Sequence, residues 1–373
     1  MRDVPVDSHY SGHQLPGQQD APTPLAFTLL RLLADGEFHS GEVLAQQLGI
    51  SRASVNNALR GMERYGLTLY SVRGRGYCLV TPPQWLDAAR IISQLGEQGR
   101  NFRIEILDSA PSSNTLLLQR AKLDVANGGA PSGSVLAVEW QSGGRGRRGR
   151  VWHSGLGNAL TFSLLWRFEC GLSALSGLSL ATGVALMRAL RDLGVDGVRL
   201  KWPNDVLGAH NHKGSAKLAG ILIETQGDML GPSAVVIGIG LNLSLPQPVL
   251  RQISPPATSL TDMMINAPEM PVVPERNRLL AVLLRELHGV LREFAMHGFA
   301  ALRAEWESHH ALQDQPVRLS LPDGSSVAGI ARGVTEDGAL KLETISPETG
   351  VQGVKIFNAG EVSLRSGAEH VAA

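Results

Sequence analysis

Residues 135–150, VLAVEWQSGGRGRRGR, determine how the centre of this chain is organised. The apolar run at the start predicts a buried strand, and four arginines with three glycines follow within Gly144–Arg150. Glycines let a backbone approach a ligand closely, and guanidinium groups pair with phosphate or carboxylate. Composition alone fits a basic loop on a nucleic acid equally well. Because α/β folds bind ligands where their strands end, the position favours a ligand-binding loop.

The region around this loop alternates strand and helix signals, which predicts a mixed α/β domain over residues 101–313. Six apolar runs are candidate strands: Ile104–Leu107, Val135–Val138, Leu160–Trp166, Val198–Leu200, Gly220–Glu224 and Val235–Ile237. Three longer segments have a helical period: Thr115–Ala126, Leu175–Leu193 and Pro274–Gly298. A Pro- and Met-bearing loop is expected at Pro246–Pro274.

Three further segments carry polar residues beside predicted strands. They are Lys201–Asp205 (KWPND), Lys217–Glu224 (KLAGILIE) and Gly238–Asn242 (GIGLN). Taken singly, each has a plain explanation: a rigid turn, a solvated lysine and a weak Gly-x-Gly pattern. Together they supply anion-binding cations, a carboxylate for a metal ion and backbone access for a nucleotide. We expect them at strand ends around one site, with the scattered His153, His210 and His212 at the surface.

Residues 23–82 predict a small winged-helix domain. A first helix ends at Gly36, Ser40 caps a second through Leu48, and Ser51 caps a third running to about Tyr65. A hairpin with the basic tip Arg73–Gly76 follows. Two short helices joined by a Gly-containing turn are typical of helix-turn-helix domains.

Composition sets the remaining limits. A chain of 373 residues predicts two or three domains, and 34 basic against 34 acidic residues exclude a general polyanion binder. Two cysteines indicate reduced thiols in the cytosol and hence a cytoplasmic protein. The uncharged stretch Cys170–Met187 is laced with serines, which favours a buried helix over a membrane span. The outer segments are assigned in order: a flexible tail at 1–22, a linker helix at 83–100, a β-barrel at 314–366 and a tail at 367–373.

The motifs above, in this order, resemble those of the bifunctional biotin–protein ligase and biotin operon repressor family. The likeness extends from about Thr23 to Arg365, and GRGRRGR is similar to the family's biotin-binding loop. It implies a multidomain α+β fold: a winged helix-turn-helix, a mixed α/β ligase domain and a small Src-homology-3-like β-barrel. The chain departs from the family pattern at Ser109–Asn114. This segment reads SAPSSN and follows Asp108, where the family usually has Asp-Ser-Thr-Asn.

The resemblance also implies the activity and its residues. Biotin and ATP with Mg²⁺ would form biotinyl-5′-AMP, and the biotin would pass to a lysine of a biotin carboxyl carrier protein. Lys217, Arg147 and Asp205 are the implied catalytic residues, with Asp205 acting indirectly on Mg²⁺. The implied biotin contacts are Ser112, Ser113, Asn114, Gln141, Arg145, Gly146, Arg147 and Lys217. The implied ATP or adenylate contacts are Arg147, Arg150, Trp152, Asn204 and Asn242.

The resemblance further implies that an adenylate-bound homodimer represses biotin genes by binding their operator. The implied DNA contacts are Arg52, Ser54, Asn56, Asn57 and Arg60 on the third helix, with Arg73 and Arg75 on the wing. A winged helix that binds protein instead of DNA stays open. Two other functions stay open as well, a lipoate-type protein ligase and a regulator that senses biotin without catalysis. No membrane partner is expected.

Overall fold

The computed structural model describes residues 20–122, 129–210, 214–254, 256–266, 273–345 and 352–364. Several predictions fall outside them: most of the 1–22 tail, the end of the helix expected at Thr115–Ala126, His212, Arg365 and the 367–373 tail. The described residues form a helical N-terminal unit with a hairpin, a central seven-stranded sheet and a five-stranded C-terminal sheet. This confirms the predicted fold class.

The N-terminal unit has the elements of a winged helix. In its described part these are α1 Pro24–Leu32, α2 Gly41–Leu48, α3 Arg52–Leu59, β1 Leu69–Val72 and β2 Gly76–Leu79. Ser40 and Ser51 cap α2 and α3 as predicted, each accepting a backbone N–H three residues on. The prediction that the third helix runs to Tyr65 is wrong. Arg60 is extended and Gly61 adopts φ +73°, so α3 ends at Leu59 and a separate 3-10 turn spans Met62–Tyr65.

A short helix, α4 Ala88–Leu95, connects this unit to the central domain. It begins at Ala88 rather than near Trp85, because Asp87 accepts the N–H of Arg90 as its cap. Ahead of it, the chain is held by a buried ion pair between Arg276 and Glu139, whose side chains are 2% and 0% exposed. Arg276 also donates to the Gln84 carbonyl at 2.6 Å, and the Leu86 N–H donates to Glu139 at 2.7 Å. The connector is therefore anchored before α4 begins.

The central sheet has the order β3-β4-β5-β9-β8-β7-β6, and β3 and β4 are its parallel pair. Its strands are β3 Arg103–Ala110, β4 Ser134–Gln141, β5 Ala159–Phe168, β6 Arg199–Lys201, β7 Asp205–Ala209, β8 Ser215–Gly227 and β9 Ser233–Asn242. The described helices of this domain are α5 Ser113–Ala121, α6 Leu178–Asp192, α7 Gln247–Leu250, α8 Leu260–Asn266, α9 Arg276–His297 and α10 Arg303–Ser308. Helices α6 and α9 share the main core, while α5 packs on the opposite sheet face, against Leu136 and Val138.

Two predictions about this domain are wrong. The segments expected after strand ends lie mostly within strands, since Lys217 belongs to β8 and Gly238–Asn242 to β9, while KWPND forms the tight turn between β6 and β7. The sheet is largely antiparallel, so the rule for the ends of parallel strands does not apply to these residues. The loop expected at Pro246–Pro274 contains α7 and α8.

The C-terminal sheet has the order β13-β12-β11-β10-β14 and is antiparallel throughout. Its strands are β10 Pro316–Ser320, β11 Ser326–Val334, β12 Leu340–Ile345, β13 Gln352–Phe357 and β14 Glu361–Leu364. We call these strands the barrel. Its buried residues belong to the same hydrophobic cluster as α6 and α9, and the Trp202 indole donates to the Gly338 carbonyl at 3.0 Å. This hydrogen bond attaches the barrel to the KWPND turn.

Candidate active site

A cavity of about 390 Å³ lies between the Arg/Gly loop, the KWPND turn, β8, β9 and the start of β14. It brings together every residue that the resemblance implied for biotin, nucleotide and metal: Ser112, Ser113, Asn114, Gln141, Arg145, Gly146, Arg147, Arg150, Trp152, Asn204, Asp205, Lys217 and Asn242. These residues come from segments up to 130 positions apart in the chain, and only the fold makes them neighbours.

One end of the cavity is a network of uncharged polar groups. Ser112 caps α5, and the Ser113 N–H and hydroxyl donate to the Gln141 side-chain oxygen at 2.8 and 3.2 Å. The Ser163 hydroxyl, fully buried on β5, contacts both Ser113 and Asn114. Sequence reasoning missed Ser163, because a serine inside a predicted core strand has no distinguishing pattern. The network preorganises donors and acceptors for a polar, uncharged ligand group.

A charged pair borders this network. Arg145 forms an ion pair with Glu224 of β8, and the Asn114 amide donates to the same carboxylate at 3.1 Å. Glu224 lies in the predicted KLAGILIE segment, but we assigned it no role from sequence. It links the start of the Arg/Gly loop to the polar network.

Arg147 points inward at the middle of the cavity. Its described hydrogen bond goes to the neutral Asn204 side chain at 3.2 Å. The Asn204 side-chain amide donates to the Ile221 carbonyl at 2.8 Å, and the Ile221 N–H donates to the Asn204 carbonyl at 3.0 Å. Burial lowers the pKa of Arg147, while Asp205 and Glu361 act in the opposite direction. A half-buried guanidinium with a neutral partner is well placed to receive an anion.

Lys217 and Asp205 face each other across β8 and β7. Their Nζ and Oδ1 atoms are 2.6 Å apart, and the side chains are 28% and 19% exposed. The Lys217 ammonium also lies 5.7 Å from the centre of the Trp152 ring. The cavity floor therefore carries a paired cation and carboxylate beside an aromatic surface.

The Trp152 ring lies directly over β9. A side chain at Gly240 would bring a Cβ within 2.4 Å of the ring, so glycine is required for this close approach. The Trp152 Nε1 and the Asn242 Oδ1 are buried and have no hydrogen-bond partner among the described residues. The Asn242 amide is fixed by the Thr258 carbonyl at 3.0 Å. Unsatisfied buried polar atoms on one wall indicate a ligand-binding wall.

The outer arginines of the loop face the barrel. Arg150 pairs with Glu361 of β14 through both carboxylate oxygens, and Arg148 donates to the Leu321 carbonyl at 3.4 Å. Burial raises the pKa of Glu361, but the hydrogen bond and charge of Arg150, with Lys201 and Arg148 nearby, bring it below its ordinary value. Glu361 is a second acidic residue of the cavity edge to which sequence reasoning gave no role.

The prediction that His153 lies at the surface is wrong. It is half-buried in the cavity wall, burial lowers its pKa, and its ring is hydrogen-bonded to Gln252. His210 is also partly buried, with a buried Nδ1 that has no partner in the described structure. Gln252 lies just after α7 and lines the same cavity.

The structure places most of the implied DNA contacts at the N-terminal surface. Arg52, Asn56, Asn57, Arg60, Arg73 and Arg75 are exposed. Ser54 is partly buried, and its hydroxyl bonds to the capping Ser51. Arg60 lies just past the end of α3 rather than on it, bonded to Asn57. Arg75 stacks on Phe38, with the guanidinium carbon 3.9 Å from the ring centre.

No helix in the described part of the chain has both the length and the apolar character that crossing a bilayer requires. The same part contains no group of three or more histidine, cysteine or acidic side chains arranged to hold a metal ion. A metal ion with one protein carboxylate and several nucleotide oxygens is compatible with this, since Mg²⁺ commonly binds in that way.

Fold and site together define a class: a winged helix-turn-helix joined to an α/β domain whose cavity is lined by several arginines and lysines. Three protein-family models match successive segments of the chain and agree with this division into domains. Residues 26–78 match a helix-turn-helix domain, residues 107–242 the biotin/lipoate A/B protein ligase family, and residues 314–365 the biotin protein ligase C terminal domain.

Curated relatives align with this chain over nearly their whole length. The chain is 38% identical over 348 residues to the bifunctional ligase/repressor BirA of Salmonella typhimurium, covering 93% of this chain and 99% of that protein. The protein of the same name from Escherichia coli is 37% identical over the same length. A biotin protein ligase from Aquifex aeolicus, solved in complex with biotin and ATP, aligns with a TM-score of 0.53 at 25% identity, covering 70% of this chain and 98% of that one. The chain belongs to the biotin protein ligase family, which confirms the resemblance.

Proposed function

We propose that the protein activates biotin with ATP, transfers it to a lysine of a biotin carboxyl carrier protein, and represses biotin genes through its winged helix. The observation that carries the ligase proposal is that one cavity contains both the neutral polar network and the cations Arg145, Arg147 and Lys217. This cavity offers uncharged hydrogen-bonding groups for a ureido ring and, further along, cations for a carboxylate and phosphates.

The chemistry explains why so many cations are needed. A biotin carboxylate oxygen attacks the α-phosphorus of ATP, pyrophosphate leaves, and biotinyl-5′-AMP forms. Two unit negative charges at 4 Å repel each other by about 4 kcal/mol at an effective dielectric of 20. Arg147 and Lys217 would offset that repulsion and stabilise the charge that develops at the α-phosphate.

The polar network is assigned to biotin. Ser112, Ser113, Asn114 and Gln141 would bond the ureido group, while Arg145 and Gly146 would cover it from the loop. The opposite wall is assigned to the nucleotide, with Trp152 stacking on the adenine and the unpaired Asn242 oxygen facing its polar edge. Asn204, which orients Arg147, would face the phosphates.

Mg²⁺ would enter with the nucleotide phosphates, and Asp205 would be the protein carboxylate that helps to hold it. When bound, it supplies positive charge to the departing pyrophosphate. Asp205 has a second role in this proposal, since its ion pair orients the Lys217 ammonium.

In the second half-reaction, the ε-amine of the acceptor lysine attacks the acyl carbon, AMP leaves, and an amide forms as the nitrogen loses a proton. The folded loop excludes water from the anhydride until the acceptor arrives. Two backbone hydrogen bonds brace the folded loop: Gly146 N–H donates to the Arg150 carbonyl at 2.7 Å, and Trp152 N–H donates to the Gly144 carbonyl at 2.8 Å.

For the repressor function, the adenylate-bound protein would form a homodimer whose two winged helices bind a two-fold operator. Exposed Arg52, Asn56 and Asn57 on α3 would contact bases and phosphates, and Arg73 and Arg75 on the wing would contact the backbone. The reciprocal coupling predicts that operator DNA strengthens adenylate retention.

The test is incubation with radiolabelled biotin, Mg·ATP and a biotin carboxyl carrier domain, followed by a gel shift with the same preparation on the promoter of biotin genes. Labelled carrier and an adenylate-dependent shift are expected. A parallel arm with lipoic acid should give no labelled acceptor. An unlabelled carrier would refute the ligase proposal, and a labelled carrier without any shift would refute the repressor proposal alone.

A further inference from the structure

The four arginines of the loop have different partners. Arg145 and Arg147 bond to Glu224 and Asn204, which belong to the central domain. Arg148 and Arg150 bond to the barrel, through the Leu321 carbonyl and the Glu361 carboxylate. The loop is therefore held from two sides, and the barrel holds its outer side.

The contact between Arg150 and Glu361 is a bidentate ion pair. The two terminal guanidinium nitrogens of Arg150 each donate to one carboxylate oxygen of Glu361. This paired geometry fixes the direction of the contact. Glu361 and the preceding Gly360 also line the cavity, so the contact lies at the cavity edge. This pair engages two of the five N–H donors of Arg150 and holds its guanidinium against the barrel.

We infer that Glu361 is a positioning residue, which holds the Arg/Gly loop over the cavity through Arg150 and thereby sets how long the adenylate stays bound. This rests on the proposed function. It gives the C-terminal barrel a role in the first half-reaction, and it replaces the direct nucleotide contact that the family pattern implied for Arg150.

The size of the effect is limited by exposure. The Arg150 and Glu361 side chains are 54% and 32% exposed, and exposed ion pairs contribute up to about 1 kcal/mol. Loss of this pair should therefore speed adenylate dissociation about fivefold, the factor to which about 1 kcal/mol corresponds at 25 °C. Added salt should speed dissociation from the unaltered protein, because salt screens exposed charges.

The experiment measures the dissociation of radiolabelled biotinyl-5′-AMP from the full chain. Glu361→Gln keeps the side-chain shape and removes the charge, so dissociation should rise about fivefold and lose most of its salt dependence. The matched control is Asp314→Asn, which breaks an exposed ion pair with Arg332 in the same barrel, away from the cavity. It should leave dissociation unchanged.

Exchanging the two charges distinguishes a role of the Arg150–Glu361 ion pair from direct binding of the ligand by Arg150. Arg150→Glu alone should speed dissociation, and the double variant Arg150→Glu, Glu361→Arg should return it to within about twofold of the unaltered protein. A double variant that dissociates as fast as Arg150→Glu would show that Arg150 acts on the ligand and would overturn the inference. If Glu361→Gln lowers the melting temperature, the double variant still tests whether the ion pair controls adenylate dissociation.

An unchanged rate in a folded Glu361→Gln variant would overturn the inference while leaving the ligase proposal standing. Failure of the proposed function gives a different result, since the unaltered protein would then form no biotinyl-5′-AMP from labelled ATP.

Discussion

Lys217 is the cavity cation that lies beside both a carboxylate and an aromatic ring. Its ammonium is 2.6 Å from Asp205 and lies beside the Trp152 ring, at the boundary between the two assigned ends of the cavity. Under the proposed function a charge in this place would act on the reacting atoms, and the partly exposed side chain contributes little to the core.

We expect Lys217→Ala to slow adenylation by about 100-fold or more, the usual loss when one preorganised charge on a developing anion is removed. The measurement is pyrophosphate release in a single turnover, with the melting temperature as control. A release rate equal to that of the unaltered protein would exclude Lys217 from the reaction.

Arg147 should affect the retention of the adenylate as well as the rate of its formation. Arg147→Ala removes a half-buried cation that faces the cavity with one neutral partner, so adenylate dissociation should rise at least about tenfold. The exposed Arg100 provides the matched control, since Arg100→Ala removes the same side chain far from the cavity. Equal dissociation from both variants would remove this arginine from adenylate binding.

Strand β9 contributes to the site through Gly240, which has no side chain. All ten of its residues are buried, and it approaches Trp152 closely because position 240 has no side chain. A strand that looks like ordinary core in sequence thereby shapes the nucleotide wall.

We expect Gly240→Ala to displace the Trp152 ring and to raise the KM for ATP about tenfold, while biotin binding without ATP stays close to normal. Gly289→Ala on α9 is the control, since a Cβ there meets no atom within 4 Å. An unaltered KM for ATP would contradict the assignment of this wall to the nucleotide.

The N-terminal unit is joined to the rest of the protein by packing as well as by the connector. Tyr65 meets Trp140 edge-on at 5.3 Å between ring centres, and the Leu156 N–H donates to the Tyr65 carbonyl at 2.8 Å. Trp140 precedes Gln141 of the polar network, so the interface lies one residue from the assigned biotin site.

Deletion of residues 1–82 should abolish operator binding, measured as loss of the gel shift. Because the deletion also exposes Trp140 and Leu156, the matched variant is the full chain with Arg52→Ala and Arg73→Ala, which leaves the interface intact. That variant should lose DNA binding and keep carrier labelling. Operator binding by the truncated protein would show the winged-helix assignment to be wrong.

Stability should fall in mild acid because of four histidines. Burial lowers the pKa of His153, His288, His309 and His310 in the folded state. The unfolded chain takes up protons near the ordinary value of 6.5, which the folded state resists. The melting temperature should therefore be constant above about pH 7 and decline below about pH 6.5.

His310 provides the check, since it is the most buried of the four and stacks on Trp306 at 4.7 Å. His310→Phe keeps an aromatic ring and should flatten the decline of the melting temperature between about pH 7 and pH 5. A decline of the same steepness in this variant would assign the acid sensitivity to other groups.

Local patterns in the sequence determined the elements and the chemistry. Serine caps predicted the starts of α2 and α3, apolar runs predicted six central strands, and the arginine, lysine and carboxylate motifs predicted an anion-binding site. These features depend on residues close together in the chain, so a sequence displays them. The family resemblance added their roles.

Only the tertiary structure decided which of these residues meet, and on which side. It placed the motifs within antiparallel strands and divided the loop arginines between two domains. It also brought Glu361 to the cavity and placed Ser163 and Glu224 against the cavity residues Ser113 and Arg145. Such contacts join residues about 50 to 211 positions apart, and their energy arises from burial and charge pairing after folding. No local period or spacing records them, which is why the sequence alone left them unassigned.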